Sequence, residues 1–185
     1  VIWTTTPWTL PGNTGITIGP EYEYSIIDTG KEKLIMAKEL VDSVMKKAGI
    51  NQYKTVETYL GSDLEGITCK HPFIERDSKV VLGSDDTIIV ELDTGTGAVH
   101  TAPGYGKEDY LCGLKNGLET VVCVNGKGYQ TEEAGMFAGM FYEKSNTAII
   151  EWLAENNYLL NKEEIVHSYP HCWRCKNPII FRATN

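Results

Sequence analysis

Apolar runs in this chain are short, and Gly, Pro, Asp or Ser breaks them every few residues. That rhythm predicts many short strands and few long helices. Ile16–Ile18, Tyr24–Ile27 and Leu34–Ala37 read as strands, with Thr29-Gly30 turning between the last two. Ala37, Leu40, Val41, Val44, Met45 and Ala48 fall at helical spacing, and Gly49 stops that helix. Further strands are expected at Thr55–Leu60, Gly66–Lys70, Val80–Leu82, Ile88–Leu92, Ala98–Thr101, Val121–Val124 and Ile165–Tyr169. A helix is expected from Lys107 to Gly117, and another, capped by Ser145 or Asn146, reaching Asn157. Strands and helices do not alternate regularly, which argues against a parallel doubly wound sheet. The expected class is α+β, mainly β, with a closed or bent β-barrel core and peripheral helices.

Acidic residues outnumber basic ones by 25 to 17, for a net charge of -8. That excludes a free-standing, charge-driven nucleic-acid binder but leaves a nucleic-acid substrate open. The 185 residues suit one domain with its own core. No apolar run approaches the roughly 20 residues of a membrane span. Five cysteines make an odd set in which only Cys172 and Cys175 form a CxxC pair. Reduced thiols and a cytoplasmic location are therefore expected. Val1 opens inside a strand-like run and Asn185 follows the apolar Ile179-Ile180-Phe181, so the chain reads as a piece of a larger protein.

Three segments could carry chemistry. Residues Trp3 to Thr9 hold four threonines and two tryptophans within seven positions. They form either an edge strand ending at Pro7 or a pocket wall whose hydroxyls position water or a ribose. Between Gly95 and Tyr110, a strand-end His100 and a helix-start Asp109 flank the Gly-rich turn Pro103-Gly104-Tyr105-Gly106. A dinucleotide fingerprint is rejected there, because another strand and Pro103 follow the glycines where a helix would have to open. His100 is either a satisfied core histidine or a pocket residue. Asp109 either complements the helix dipole or binds an ammonium group. Cys112 reads as helix packing. The third segment, Tyr169 to Lys176, carries the CxxC, which is either a metal-free turn or half a zinc knuckle with His171 as a weak further ligand.

Taken in this order, TTTPWTLPG at Thr4–Gly12, HTAPGYGKEDY at His100–Tyr110 and YPHCWRCK at Tyr169–Lys176 resemble the editing domain of isoleucyl-tRNA synthetases, across the whole chain. Thr6-Pro7-Trp8 stands where the sister valyl and leucyl enzymes have Arg-Pro followed by an acidic residue, which favours the isoleucyl branch. Tyr105 departs from the family, many members having His, and takes no role. The resemblance implies an editing domain over 1–168 and, over 169–185, a junction returning toward the catalytic domain as half a zinc knuckle. It implies a ligase whose editing domain, an aminoacyl-tRNA deacylase, hydrolyses valine from misacylated tRNA(Ile), and valyl-adenylate as well. Thr5, Thr6, His100 and Asp109 would be the reacting set: Asp109 on the α-ammonium, His100 excluding isoleucine, and the threonines, Thr4 included, on ribose, ester and water. Trp8 and Tyr169 would wall the substrate. Editing would need no cofactor. Zinc would sit through Cys172 and Cys175, with ATP and magnesium confined to the parent's synthetic domain. The partners implied are the 3′ end of tRNA(Ile) and the rest of the synthetase, with no membrane, and the separate domain monomeric. Lys107, Lys115, Arg174, Lys176 and Arg182 would touch phosphates. The competing readings are a zinc-knuckle interaction module without its own active site, and an unrelated esterase, for which no G-x-S-x-G is present.

Overall fold

Two open sheets, not one closed barrel, take up the strands in the computed structural model, which describes residues 1–165 and 168–184. In the first, β1 (Gly15–Ile18) pairs parallel with β6 (Asp77–Leu82) and antiparallel with β7 (Ala98–Thr101). β5 (Thr68–Lys70) adds to β6, giving the order β5-β6-β1-β7. The second is antiparallel, β3-β2-β4, from Lys33–Ala37, Glu23–Asp28 and Lys54–Leu60. A barrel needs every edge paired at a consistent stagger. Here β5 is three residues long, β4 lies exposed along its whole length, and beyond β1, among the described residues, β7 is met only by Trp3, whose N–H bonds Ala98 O at 2.8 Å. The barrel expectation is corrected on that ground.

The sheets meet where the Ala37 N–H bonds Thr96 O at 2.9 Å and the Tyr24 hydroxyl donates to Gly97 O at 2.5 Å. Gly97 sits at φ +75, and a Cβ there would collide with that of Ala37. The main core fills the space between the sheets and α1 (Val41–Lys47), with Ile27, Met36 and Met45 fully buried. A second core, of Leu10, Val121, Cys123, Phe137, Ile149 and Leu153, lies under α3 (Tyr142–Glu155). α2 (Lys107–Asn116) ends at Gly117 in the left-handed region and buries Cys112 against Val81 and Ile88, the packing role expected of it.

Other expectations shift. Ile88–Leu92 and Val121–Val124 are not strands, although Ile88, Val90, Val121 and Val124 are buried. An apolar run reports burial, and here loops supply it. The first helix is shorter than its periodicity: Ala37 stays in β3, and a 3₁₀ turn at Lys38–Leu40 precedes α1. α3 starts at Tyr142, so Ser145 and Asn146 lie inside it. The expected strand Ile165–Tyr169 runs across residues 166 and 167, which lie outside the described residues. No helix among the described residues is long and apolar enough to cross a membrane.

Candidate active site

The threonine-rich segment meets a sheet only at Trp3, which bridges Val99 of β7, and is no loose loop beyond it. Residues Pro7–Gly12 form a 3₁₀ turn with Pro7 at its start and Pro11 within it. Two prolines remove donors and fix φ, so the carbonyls of the turn must find partners elsewhere. Thr9 Oγ1 donates to Thr6 O (2.8 Å), Gln130 Nε2 to Trp8 O (2.9 Å), His71 Nε2 to Leu10 O (2.9 Å) and Arg76 Nη1 to Pro11 O (2.6 Å). Asn146, expected as a cap of its own helix, instead accepts the Trp8 N–H at 2.8 Å. Ser145 bonds Tyr142 O and receives Gln130 Nε2. Gly12 closes the turn where a Cβ would stand 2.6 Å from Tyr105 Cε2. The edge-strand reading holds at Trp3, which bridges β7, and not over Thr4–Thr6, which form no strand before the turn.

His100, on β7, is buried at 7% exposure. Asn13 Nδ2 lies 2.7 Å from its Nδ1 and also donates to Gly15 O, while Asn13 Oδ1 accepts from Ser78 Oγ. Nδ1 is therefore an acceptor, and the proton belongs on Nε2, 2.9 Å from Thr9 Oγ1. Burial, with His71 nearby, pushes the His100 pKa down to about 3. The ring is a neutral, fully engaged wall and has no nitrogen free for proton transfer. Because Thr9 spends its hydroxyl proton on Thr6 O, Thr6 Oγ1, 3.2 Å away, donates to Thr9 and keeps its lone pairs for another partner. Thr4 Oγ1 accepts the Thr6 N–H at 3.1 Å.

Asp109 stands in the first turn of α2, and its Oδ1 accepts the Ala102 N–H at 2.8 Å. Burial raises its pKa, opposed by the hydrogen bonds from Ala102 and its own N–H. Tyr105, from the turn between β7 and α2, accepts the Cys123 N–H at 2.6 Å, and burial lifts its phenol pKa. Its ring meets Trp8 edge-on at 5.1 Å. Trp8 is 5% exposed and also packs on Tyr142 at 5.3 Å, so it is core and wall at once.

These parts enclose a cavity of about 360 Å³. Every residue assigned to substrate from the sequence borders it: Thr4, Thr5, Thr6, Trp8, His100, Asp109 and Tyr169. Trp3, Thr9, Val99, Ala102, Tyr105 and Phe181 complete the lining. Trp3 and Thr9 belong to the threonine-rich run. Phe181 carried no sequence signal beyond an apolar stretch. Another cavity, of about 420 Å³ beside α3, is lined by Tyr129, Met140, Phe141, Lys144 and Glu151 and contains none of the motif residues.

The CxxC forms a tight turn. The Cys172 N–H bonds Asn177 O at 2.8 Å, the Lys176 N–H bonds Cys172 O at 2.8 Å, and Lys176 takes φ 62. The N–H groups of Cys175 and Arg174 draw the Cys172 thiol pKa down. His171 turns Nδ1 to Tyr169 O at 2.9 Å. Among the described residues no three His, Cys, Asp or Glu gather where they could hold a metal ion, whereas a structural zinc site takes four ligands. Of the expected phosphate contacts, Lys115 bonds Ser84 Oγ at 3.1 Å and the Arg174 guanidinium lies 5.0 Å over the Trp173 ring.

No family model matches the chain. An isoleucine–tRNA ligase of Caldicellulosiruptor bescii is 53% identical over 184 residues, 100% of this chain and 20% of the relative. That of Petrotoga mobilis is 52% identical over 184 residues with the same coverage, and that of Thermotoga maritima is 51% identical over 186. The chain thus spans about a fifth of the length of the curated relatives it matches. Among solved structures, that of GlLeuRS-CP1 has a TM-score of 0.67 at 19% identity, covering 91% of this chain and 83% of that one. The P. falciparum cytosolic leucyl-tRNA synthetase editing domain has a TM-score of 0.63 at 11% identity, covering 83% and 75%. At such identities the likeness is one of fold.

Proposed function

The chain belongs to the isoleucine–tRNA ligase family, and from that premise we propose that its cavity is a proofreading site that hydrolyses the ester joining valine to the terminal adenosine of tRNA(Ile). One observation carries the reading: three motifs far apart in sequence converge on one cavity, with a half-buried carboxylate at one wall and a row of hydroxyls at another. A synthetic site shaped for isoleucine rejects valine by only about 1–3 kcal/mol, the isoleucyl enzymes being the standard illustration of that limit. A second pocket that valine enters and isoleucine does not supplies the remaining discrimination.

In this reading the valyl ammonium binds Asp109 by a charge-assisted hydrogen bond, which offsets the desolvation that raises the carboxyl pKa. The valyl side chain points at His100, a neutral ring whose position Asn13 and Thr9 fix, so the added methylene of isoleucine meets a wall. Thr4 and Thr5 contact the ribose and the ester. Thr6 Oγ1 accepts a hydrogen bond from the attacking water and turns the water's lone pair toward the ester carbonyl. Water adds to that carbonyl, the ribose oxygen leaves and takes a proton, and valine and tRNA separate. Without a general base on the chain, rate comes from positioning, helped by the neighbouring ribose hydroxyl. Valyl-adenylate fits the same groups. Editing in this scheme uses no cofactor. Cys172 and Cys175 would supply half of a zinc site, the other ligands coming from beyond this chain. ATP and magnesium would act only in the synthetic part.

The test is deacylation of valyl- and isoleucyl-tRNA(Ile) by the chain. The valyl ester is expected to fall well above its spontaneous rate, with the isoleucyl ester spared. Equal rates for the two, both spontaneous, would sink the reading.

A further inference from the structure

The proofreading scheme uses the hydroxyl wall, Asp109 and His100, but gives no task to Phe181, the most exposed ring of the cavity's lining. Phe181 lines the cavity and is 61% exposed, while Trp8, on the same lining, is 5% exposed. Its neighbours fix its position. Ile180 packs into the cluster of Trp8, Val124 and Tyr142. The Ala183 N–H bonds Gly104 O at 2.7 Å, in the loop that leads to Asp109. The segment therefore has one residue packed into the core and the next exposed on the cavity's lining.

We infer that Phe181 is the platform on which the adenine of the terminal nucleoside stacks, an inference that rests on the proofreading reading. If the ammonium sits at Asp109 and the ester at the threonines, the ribose lies across the hydroxyl wall and the base emerges where the lining turns solvent-exposed. Phe181 offers that base a π-face and no hydrogen-bonding group. Stacking is the interaction such a ring makes with a nucleobase, whatever the base's edge.

Two non-hydrolysable probes test it: the valyl amide of 2′-amino-2′-deoxyadenosine, and the same valyl amide on a base-free 2-amino-sugar. Affinities are measured by titration on the chain and on Phe181 variants. The chain is expected to bind the adenosine probe about 10-fold more tightly than the base-free one. Phe181→Ala should erase most of that difference and leave the base-free affinity unchanged. Phe181→Trp should restore it, and Phe181→Leu, apolar but without a π-face, should not. Equal weakening of both probes by Phe181→Ala, or no weakening of either, would overturn the stacking role while leaving the proofreading site standing. Failure of the unsubstituted chain to bind either probe would overturn the proofreading reading, and this inference with it.

Discussion

At Asp109 one carboxylate oxygen accepts the Ala102 N–H at 2.8 Å, and Ala102 is 1% exposed. The side chain therefore braces the loop as well as offering charge to a ligand, and the two roles separate by substitution. Asp109→Asn keeps an oxygen for the Ala102 N–H, so its stability should stay close to that of the parent, while valyl-probe affinity and deacylation fall about 10- to 100-fold. Asp109→Ala orphans a buried N–H and should lose about 1–3 kcal/mol in denaturant unfolding as well. An Asn variant that binds the probe normally would remove the ammonium role. The raised carboxyl pKa sets a sign: ammonium binding is lost as pH falls through the folded pKa of Asp109. His100 has the opposite bearing on the fold. Its pKa drops from 6.5 to about 3, so the unfolded chain binds the proton first. The stability it lends is complete above pH 6.5 and is lost as pH falls toward about 3, at a limiting slope of roughly 1.4 kcal/mol per pH unit. His100→Gln should flatten that slope, and His71, also lowered by burial, should keep its own share. An unchanged slope in His100→Gln, read from unfolding free energies across this window, would contradict a buried neutral ring.

The element that makes the site is the Pro7–Gly12 turn, and the turn is shaped from outside. Arg76 reaches Pro11 O at 2.6 Å and Asn13 O at 3.4 Å, and Asn13 in turn holds His100. Arg76→Met should leave a cooperatively folding chain about 1–3 kcal/mol less stable, with deacylation reduced more than probe affinity, because the hydroxyls lose their alignment. A variant with full activity would mean that the turn holds its shape unaided. These clamps also mark what the sequence could and could not disclose. The motif residues were legible because their types and order are specific, and α2 because its start and its Gly117 stop follow local rules. His71, Arg76 and Gln130 carry no local pattern, and Asn146 reads only as a helix cap, since a hydrogen bond to a distant backbone group exists only after folding. Sheet closure escaped for a similar reason: strand propensity marks β4 but not the partner its edge lacks. Ile88–Leu92 is apolar enough for a strand, yet it lies in a loop that buries Ile88 and Val90 and leaves Ile89 exposed. Phe181 reads in sequence as one more apolar residue, and only its packed neighbours show that it faces a cavity.

Across the whole molecule, acidic residues exceed basic ones by eight, 25 against 17, yet the proposed substrate is a polyanion. The two agree only if the chain grips little of the tRNA. Of the cations expected at phosphates, Lys107 starts α2, Arg174 and Lys176 sit on the CxxC turn, and Arg182 Nη2 stands 3.2 Å from where a Cβ of Gly126 would be; none lines the cavity. Lys115 is turned away to Ser84. Affinity in this site should therefore come from the amino acid, the ester and the last nucleoside, with phosphates contributing little. Uncharged tRNA(Ile) is expected to bind the chain more weakly than micromolar at physiological salt. The logarithm of its binding constant should fall with that of salt at a slope of about -2 to -3, as for three or four single-stranded phosphates. The short valyl-adenosine probe, which keeps the recognised groups and drops the phosphates, should show almost no salt dependence. Titrations from low to physiological salt check both. Submicromolar binding of uncharged tRNA, or a steep slope, would mean that the chain carries a phosphate-binding surface of its own and that the aminoacyl end is not what it chiefly recognises.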